Sequence, residues 1–342
     1  MTSGSPGRLI ILFAIPLMLG NICQQLYTMV DTMVVGQVAG VEALAALGAV
    51  DFLMWVVTGI STGLTQGFSI QLAQYYGAKD FENLRKSLAH SYRLTAFIAV
   101  GVFILSQSFA ALVLTGLHTP SNIIGMSLLY LRIIFCGIPA TAAYNMFASA
   151  LRAMGNSKTP LTAMIIASVL NVSLDILFVA GFGWGVAGAA IATVIAQSFS
   201  AVYCFLILRR IDIVHLTRAD FMPASGMNAR LMKLGIPVVF QNIIIGVGGL
   251  VVQYVINGYG FLFVAGFTAT NKLYGLLEMA AISYGYAIVT YVGQNLGAGK
   301  IDRIRKGVRS SMLLSLLTSL IISAAMFLFL SLIHISEPTR PY

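Results

Sequence analysis

The chain has 342 residues, of which 58% are hydrophobic and only 9% charged, with a formal net charge of +9, and its mean hydropathy is +0.89. Soluble domains carry about 25% charged residues, so these values exclude an ordinary water-soluble domain and describe a chain whose outer surface meets lipid. A spanning helix needs about 20 mostly apolar residues.

Nine stretches qualify: 9–36, 42–73, 88–115, 122–149, 160–181, 185–208, 232–257, 263–292 and 308–333. They are too long for the strands of a membrane barrel, and they do not alternate polar with apolar residues. The expected fold class is an all-α integral membrane protein. The first stretch has no small-residue cleavage site and is long enough to span, so it reads as the first helix and not as a signal peptide.

The first span contains "LYTMVDTMVVG" (26–36), with Asp31 set in apolar surroundings. An Asp at the centre of a spanning helix costs about 2.5–3.5 kcal/mol and is functional by default. Gly20, Gln24, Tyr27, Thr28 and Asp31 are spaced by three and four residues and share one helix face. Asp51, early in the second span, reads as interfacial. The fourth span carries Tyr144 and Asn145, and its Arg132 is placed to snorkel. The fifth carries Ser168, Asn171 and Asp175, again on one face, and the sixth carries Thr193 and Gln197.

Asp31 and Asp175 are therefore expected to meet in one wet cavity of the first half, with Asn171 and Thr193 as neutral oxygen donors. That set suits Na⁺, which takes carboxylate, amide and hydroxyl oxygens. It equally suits a proton carried by a carboxylate. The alternative is that these groups only hydrogen-bond between helices, which is typically worth about 0.6 kcal/mol each. In the second half the candidates are Gln241 and Asn242 in the seventh span, with Lys272 and Glu278 in the eighth. These last two either line a cavity or snorkel.

Pro16 and Pro237 lie inside the first and seventh spans. An interior Pro removes a backbone hydrogen bond and kinks the helix, as a static bend or as a hinge. "GWGVAGAAIA" (183–192) is a small-residue surface for close helix contact. Cys23, Cys136 and Cys204 fall within spans and read as small buried hydrophobes. No CxxC, metal-ligand spacing or nucleophile elbow is present. The four histidines lie at span ends or in loops, which argues against an intramembrane enzyme. No cofactor is expected.

Seventeen of the 20 Lys and Arg residues lie at the N-terminus or in alternate loops, near 79–93, 152–158, 209–233 and 300–309. The intervening loops have none. That distribution is the positive-inside pattern and places the N-terminus in the cytoplasm. It also accounts for the positive charge without nucleic acid.

"QYYGAKDFENLRKS" (74–87) matches "QNLGAGKIDRIRKG" (294–307), and "AIPLMLGN" (14–21) answers "GIPVVFQN" (235–242), at offsets of 220 and 221. A parallel repeat of this kind is a plan of many secondary transporters. The expected organisation is a six-helix lobe over 1–209, a cytoplasmic linker over 210–231 and a partial lobe of three helices over 232–333. The stretch 334–342 is read as a non-native tail.

The chain resembles the multidrug and toxic compound extrusion (MATE) transporters, in their DinF-like bacterial branch. The segments that carry the likeness are "IP…N…VDTMVVG" (15–36), "GAKDFENLRKS" (77–87), "LRAMGNSKTPL" (151–161), "NVSLDILFVAGFGWGVAGAAIAT" (171–193) and "GQNLGAG" (293–299). The resemblance implies a two-lobed bundle of twelve spans, nine of them present here, in a bacterial inner membrane. It implies antiport that exports amphipathic, often cationic organic compounds against inward Na⁺ or H⁺, by a chain expected to be monomeric. It also implies a cation site at Asp31, Asn171, Asp175 and Thr193. Pro16 and Asn145 match the family's first-helix Pro and fourth-span Asn. Where some branches carry a seventh-span Glu, this chain reads "QNIIIGVGG" (241–249), so a second-lobe carboxylate site is not expected. A lipid-linked oligosaccharide flippase of the same superfamily, or a non-transporting fragment, remains as an alternative.

Overall fold

The structure is a computed structural model that describes residues 1–116, 119, 121–257 and 261–336. Within those ranges it describes the backbone alone at 41, 52, 250, 253, 254, 256, 257, 261–274, 276, 277, 326 and 329–336. The helices are α1 (Pro6–Val38), α2 (Val41–Gly48), α3 (Asp51–Ala78), α4 (Phe81–Gly116), α5 (Ile124–Cys136) and α6 (Ile138–Ala153). They are followed by α7 (Lys158–Asp175), α8 (Gly185–Arg209), α9 (Met227–Asn257), α10 (Phe261–Gly297) and α11 (Ile301–Ser336). A π-helical turn, Ile176–Gly181, continues α7, and two 3₁₀ turns sit between α8 and α9. Among the described residues there is no strand.

Among the described residues, seven helices are long and apolar enough to cross a membrane, or eight if the bent pair α5 and α6 counts as one span. The nine expected from hydropathy are therefore not reached among the described residues. The fourth stretch is two short helices meeting at 46°. The break falls at "GIP" (137–139), where Pro139 can donate no backbone hydrogen bond. A Cβ on Gly137 would lie 2.7 Å from Val194, so the bend lets α8 approach closely. The eighth stretch lies in α10, whose first part is described by its backbone alone.

The outer surface is apolar, as lipid requires: Phe97 is 80% exposed, Ile244 and Ile321 69%. Exposed Cys136, which accepts a hydrogen bond from Gln107 at 3.3 Å, corrects the expectation that all three cysteines are buried. In a bundle facing lipid, an apolar side chain gains nothing by turning inward. Cys204 is buried and Cys23 half-buried.

Among the described residues, packing forms three clusters. Phe68, Leu72, Leu84, Leu88, Leu151 and Leu231 tie α3, α4, α6 and α9 together. Val35, Val50, Leu131, Phe135 and Val179 close the opposite end of the first half. Ile10, Phe13 and Leu17 of α1 meet Tyr284, Ala287 and Tyr291 of α10. Helices α3 and α9 pack along a seam of glycines. A Cβ on Gly67 would lie 2.3 Å from the Gly235 Cα, and one on Gly63 2.9 Å from Val239.

The repeat extends to backbone detail. Lys79 (φ 58°) and Gly299 (φ 70°), 220 residues apart, both take the left-handed conformation that ends a helix. Asp80 donates to the Tyr75 carbonyl at 3.0 Å, and Lys300 to the Asn295 carbonyl at 2.8 Å. The two copies cross each other where α3 and α10 end. A Cβ on Gly77 would lie 2.0 Å from the Gln294 carbonyl oxygen, and one on Gly297 1.9 Å from the Gln74 carbonyl oxygen. Gln294 also donates to the Ala153 carbonyl at 2.7 Å, which brings α6 to the same crossing.

The stretch 210–231 is held against α4. Thr217 and Asp220 form a capping box, and Asp220 faces Arg85 at 3.8 Å. His90 lies 2.7 Å from the Asn228 side chain and 3.0 Å from the Met222 carbonyl. Residues 334–336 continue the backbone of α11, while 337–342 lie outside the described residues.

Candidate functional site

Asp31 lies near the end of α1, and Asn171 and Asp175 lie one turn apart at the end of α7. Helices α1 and α7 pack against each other, and α8 packs against α7. Asp31 is 5% exposed, and Asn171 and Asp175 are fully buried. The Asp31 and Asp175 carboxylates are close enough for their charges to interact. Asn171 donates to the Thr193 hydroxyl of α8 at 3.4 Å. One turn along α8, Gln197 donates to the Tyr27 hydroxyl of α1 at 3.4 Å. Of the four residues expected at one site, Asn171 and Thr193 are hydrogen-bonded to each other, and Asp31 and Asp175 lie within electrostatic reach of one another.

The cluster is rich in acceptors and poor in donors. Among the described residues, both carboxylate oxygens of Asp175 have no hydrogen-bond partner, and neither do Asp31 Oδ1, Asn171 Oδ1 or Gln197 Oε1. A buried acceptor left without a donor costs about 1–3 kcal/mol, and more when charged. Five such oxygens on three helices favour a bound cation or a proton. The oxygens of the cluster fit Na⁺ in kind, being carboxylate, amide and hydroxyl oxygens. No group of three or more His, Cys, Asp or Glu side chains that could hold a metal ion occurs among the described residues. The π-helical turn begins directly after Asp175, and such turns are frequent at functional positions because they break the regular hydrogen-bond ladder.

Tyr130 of α5 is buried and lies within electrostatic reach of Asp31, Asp51, Tyr27 and Asp175. In sequence it is one aromatic residue in an apolar run and cannot be told from a packing residue. Asp51 is exposed at the start of α3, yet its charge reaches Asp31. It therefore belongs to the electrostatic surroundings of the site.

Gln24 and Thr28 border this cluster, because their side chains meet Tyr27, and the remaining candidates make other contacts. Gln24 and Thr28 are exposed on α1, and Thr28 donates to the Gln24 carbonyl at 2.9 Å. Half-buried Pro16 lies in the α1 segment that packs on α10. Asn145 donates to Thr62 at 3.3 Å, joining α6 to α3. Asn242 donates to the Gly59 carbonyl at 3.0 Å, joining α9 to α3. Gln241, Pro237 and Glu278 are exposed. The Lys272 side chain lies outside the described residues.

A bundle of membrane helices with buried paired acids has the build of a transporter. The comparisons place the chain in one family: the MatE family model matches residues 16–177 and 237–335, and the chain belongs to that family. It is 31% identical over 303 residues to the probable multidrug resistance protein YpnP of Bacillus subtilis, covering 89% of this chain and 68% of that protein. It is 26% identical over 325 residues to the probable multidrug resistance protein NorM of Thermotoga maritima, covering 94% and 70%. For the multidrug export protein MepA of Staphylococcus aureus, the chain spans 64% of the relative's length at 22% identity and 84% of its own. Among solved structures, a MOP-superfamily transporter from Pyrococcus furiosus superposes with a TM-score of 0.88 at 24% identity, over 96% of this chain and 73% of that one. An outward-facing multidrug resistance MATE-family transporter does so with a TM-score of 0.86 at 24% identity, over 95% and 72%.

Proposed function

We propose that this chain carries the coupling half of a bacterial inner-membrane antiporter that exports amphipathic, often cationic organic compounds in exchange for Na⁺ or H⁺. The reading rests on the five partnerless acceptor oxygens where α1, α7 and α8 meet. The multidrug export roles named for its relatives agree with it. Asp31, Asn171, Asp175 and Thr193 hold the ion, and Tyr27, Gln197 and Tyr130 shape its surroundings.

The coupling follows from charge. With both acids ionised, the cluster attracts a cationic compound. With an ion or proton bound, it does not. Antiport requires that ion and compound favour opposite-facing states, because a ligand shifts an equilibrium only by its differential affinity. One cation moving inward down 100 mV supplies about 2.3 kcal/mol, enough for a roughly forty-fold gradient of an uncharged compound; a singly charged cationic compound leaving in exchange returns that energy, so its export draws on the concentration gradient of the ion itself. A kink at Pro16 gives α1, which carries Asp31, a place to bend between the two states.

The test is efflux of a cationic dye from proteoliposomes under an imposed Na⁺ or pH gradient. One of the two gradients is expected to accelerate efflux. Indifference to both refutes the proposal.

A further inference from the structure

Helix α4 has 36 residues and is about 54 Å long, whereas the hydrocarbon core is about 30 Å thick. Phe97–Gly116 alone fills that core, so Arg93, one turn before Phe97, stands at headgroup level. A groove of about 380 Å³ opens there, lined by Arg93, Leu94, Ala96 and Phe97 of α4 and Asn228 of α9. Its wall is apolar apart from Arg93 and Asn228, and Phe97, 80% exposed, faces the lipid.

The charges around it are unequal. Segments 79–93 and 209–233 together hold nine Lys and Arg against four Asp and Glu. The neighbouring cavity contains Arg85 and Lys86, but these are already paired, with Asp220 at 3.8 Å and Glu82 at 2.6 Å. Arg93 is different. Its Nη1 donates to the Phe221 carbonyl at 2.9 Å, and among the described residues it meets no carboxylate. A guanidinium has five N–H donors, so the others remain for an acceptor arriving from outside.

We propose that this groove binds an anionic glycerophospholipid. The phosphate lies on Arg93 and an acyl chain runs along Leu94, Ala96 and Phe97. Basic pockets at the ends of membrane helices recognise anionic headgroups in this way. Because Asn228 lines the groove and also contacts His90, the bound lipid bridges α4 and the start of α9.

The test is native mass spectrometry of the full chain released from nanodiscs of equal phosphatidylglycerol and phosphatidylcholine. Phosphatidylglycerol is expected to be retained about fivefold over phosphatidylcholine, the preference one interfacial basic residue supplies. Arg93→Gln should erase that preference, Arg93→Lys should keep it, and Phe97→Ser should lower retention of phosphatidylglycerol. Lys86→Gln, at a group already paired, should leave it intact. Equal retention of the two lipids, or a preference that survives Arg93→Gln, overturns the proposal. So does displacement of the lipid by soluble glycerol phosphate at equal concentration, which would make the site one for phosphate alone.

Discussion

Asp31→Asn is expected to reduce export of a cationic dye at least about tenfold, a loss of roughly 1.4 kcal/mol in the coupled step, while the amount of protein in the membrane stays unchanged. The substitution keeps the shape of the side chain and removes its charge. Asp31 is 5% exposed, and its Oδ1 has no protein donor. Removing that charge relieves an electrostatic cost on the fold and takes away the group that would bind the ion. A merely structural Asp31 predicts the opposite pattern, in which protein is lost from the membrane and the remainder exports normally. Undiminished export by the Asn variant refutes the coupling role of α1.

Gly297→Ala and Gly77→Ala are expected to have the largest effects on stability. In each, a new methyl would lie within about 2 Å of a backbone carbonyl oxygen on the other copy of the repeat. Backbone on both sides leaves no flexible side chain to yield, so α3 and α10 must separate. Overpacking of this kind costs about 1–3 kcal/mol, and occasionally more. Gly101→Ala in α4 is the internal control. Nothing lies within 4 Å of a Cβ placed there, so helix propensity favours Ala by about 1 kcal/mol. Thermal unfolding in detergent should rank Gly101→Ala at or above the parent and both crossing variants below it. Spin labels near the ends of α3 and α10 should report a wider separation in the crossing variants. Unchanged melting of Gly297→Ala contradicts the close crossing.

Hydropathy made the helices legible because lipid leaves one solution for a long apolar run. The break in the fourth stretch escaped that reading. Length and apolarity alone merge α5 with α6, although Gly137 and Pro139 mark the bend once it is known. Asp31 and Asp175 stood out because a carboxylate is costly in lipid, and four-residue spacing put Asn171 on the same face as Asp175. Tyr130 did not stand out, since an aromatic residue in a span has no such cost. Asn145 and Asn242 could be read as cavity residues or as helix contacts, and only the fold shows their amides directed at α3. The repeat was legible as an offset of 220 residues. That each of its glycines presses on the backbone of the other copy was not, because a Gly-Ala turn carries no mark of its partner.

The central claim is that two acids on different helices form one ion site. The most direct test is a double-mutant cycle on binding of the ion that drives efflux, comparing the parent, Asp31→Asn, Asp175→Asn and the double variant. A shared site predicts that either single change weakens binding about as much as both together. If the two losses instead multiply in the double variant, as they do for independent positions, each acid acts alone and the account is wrong.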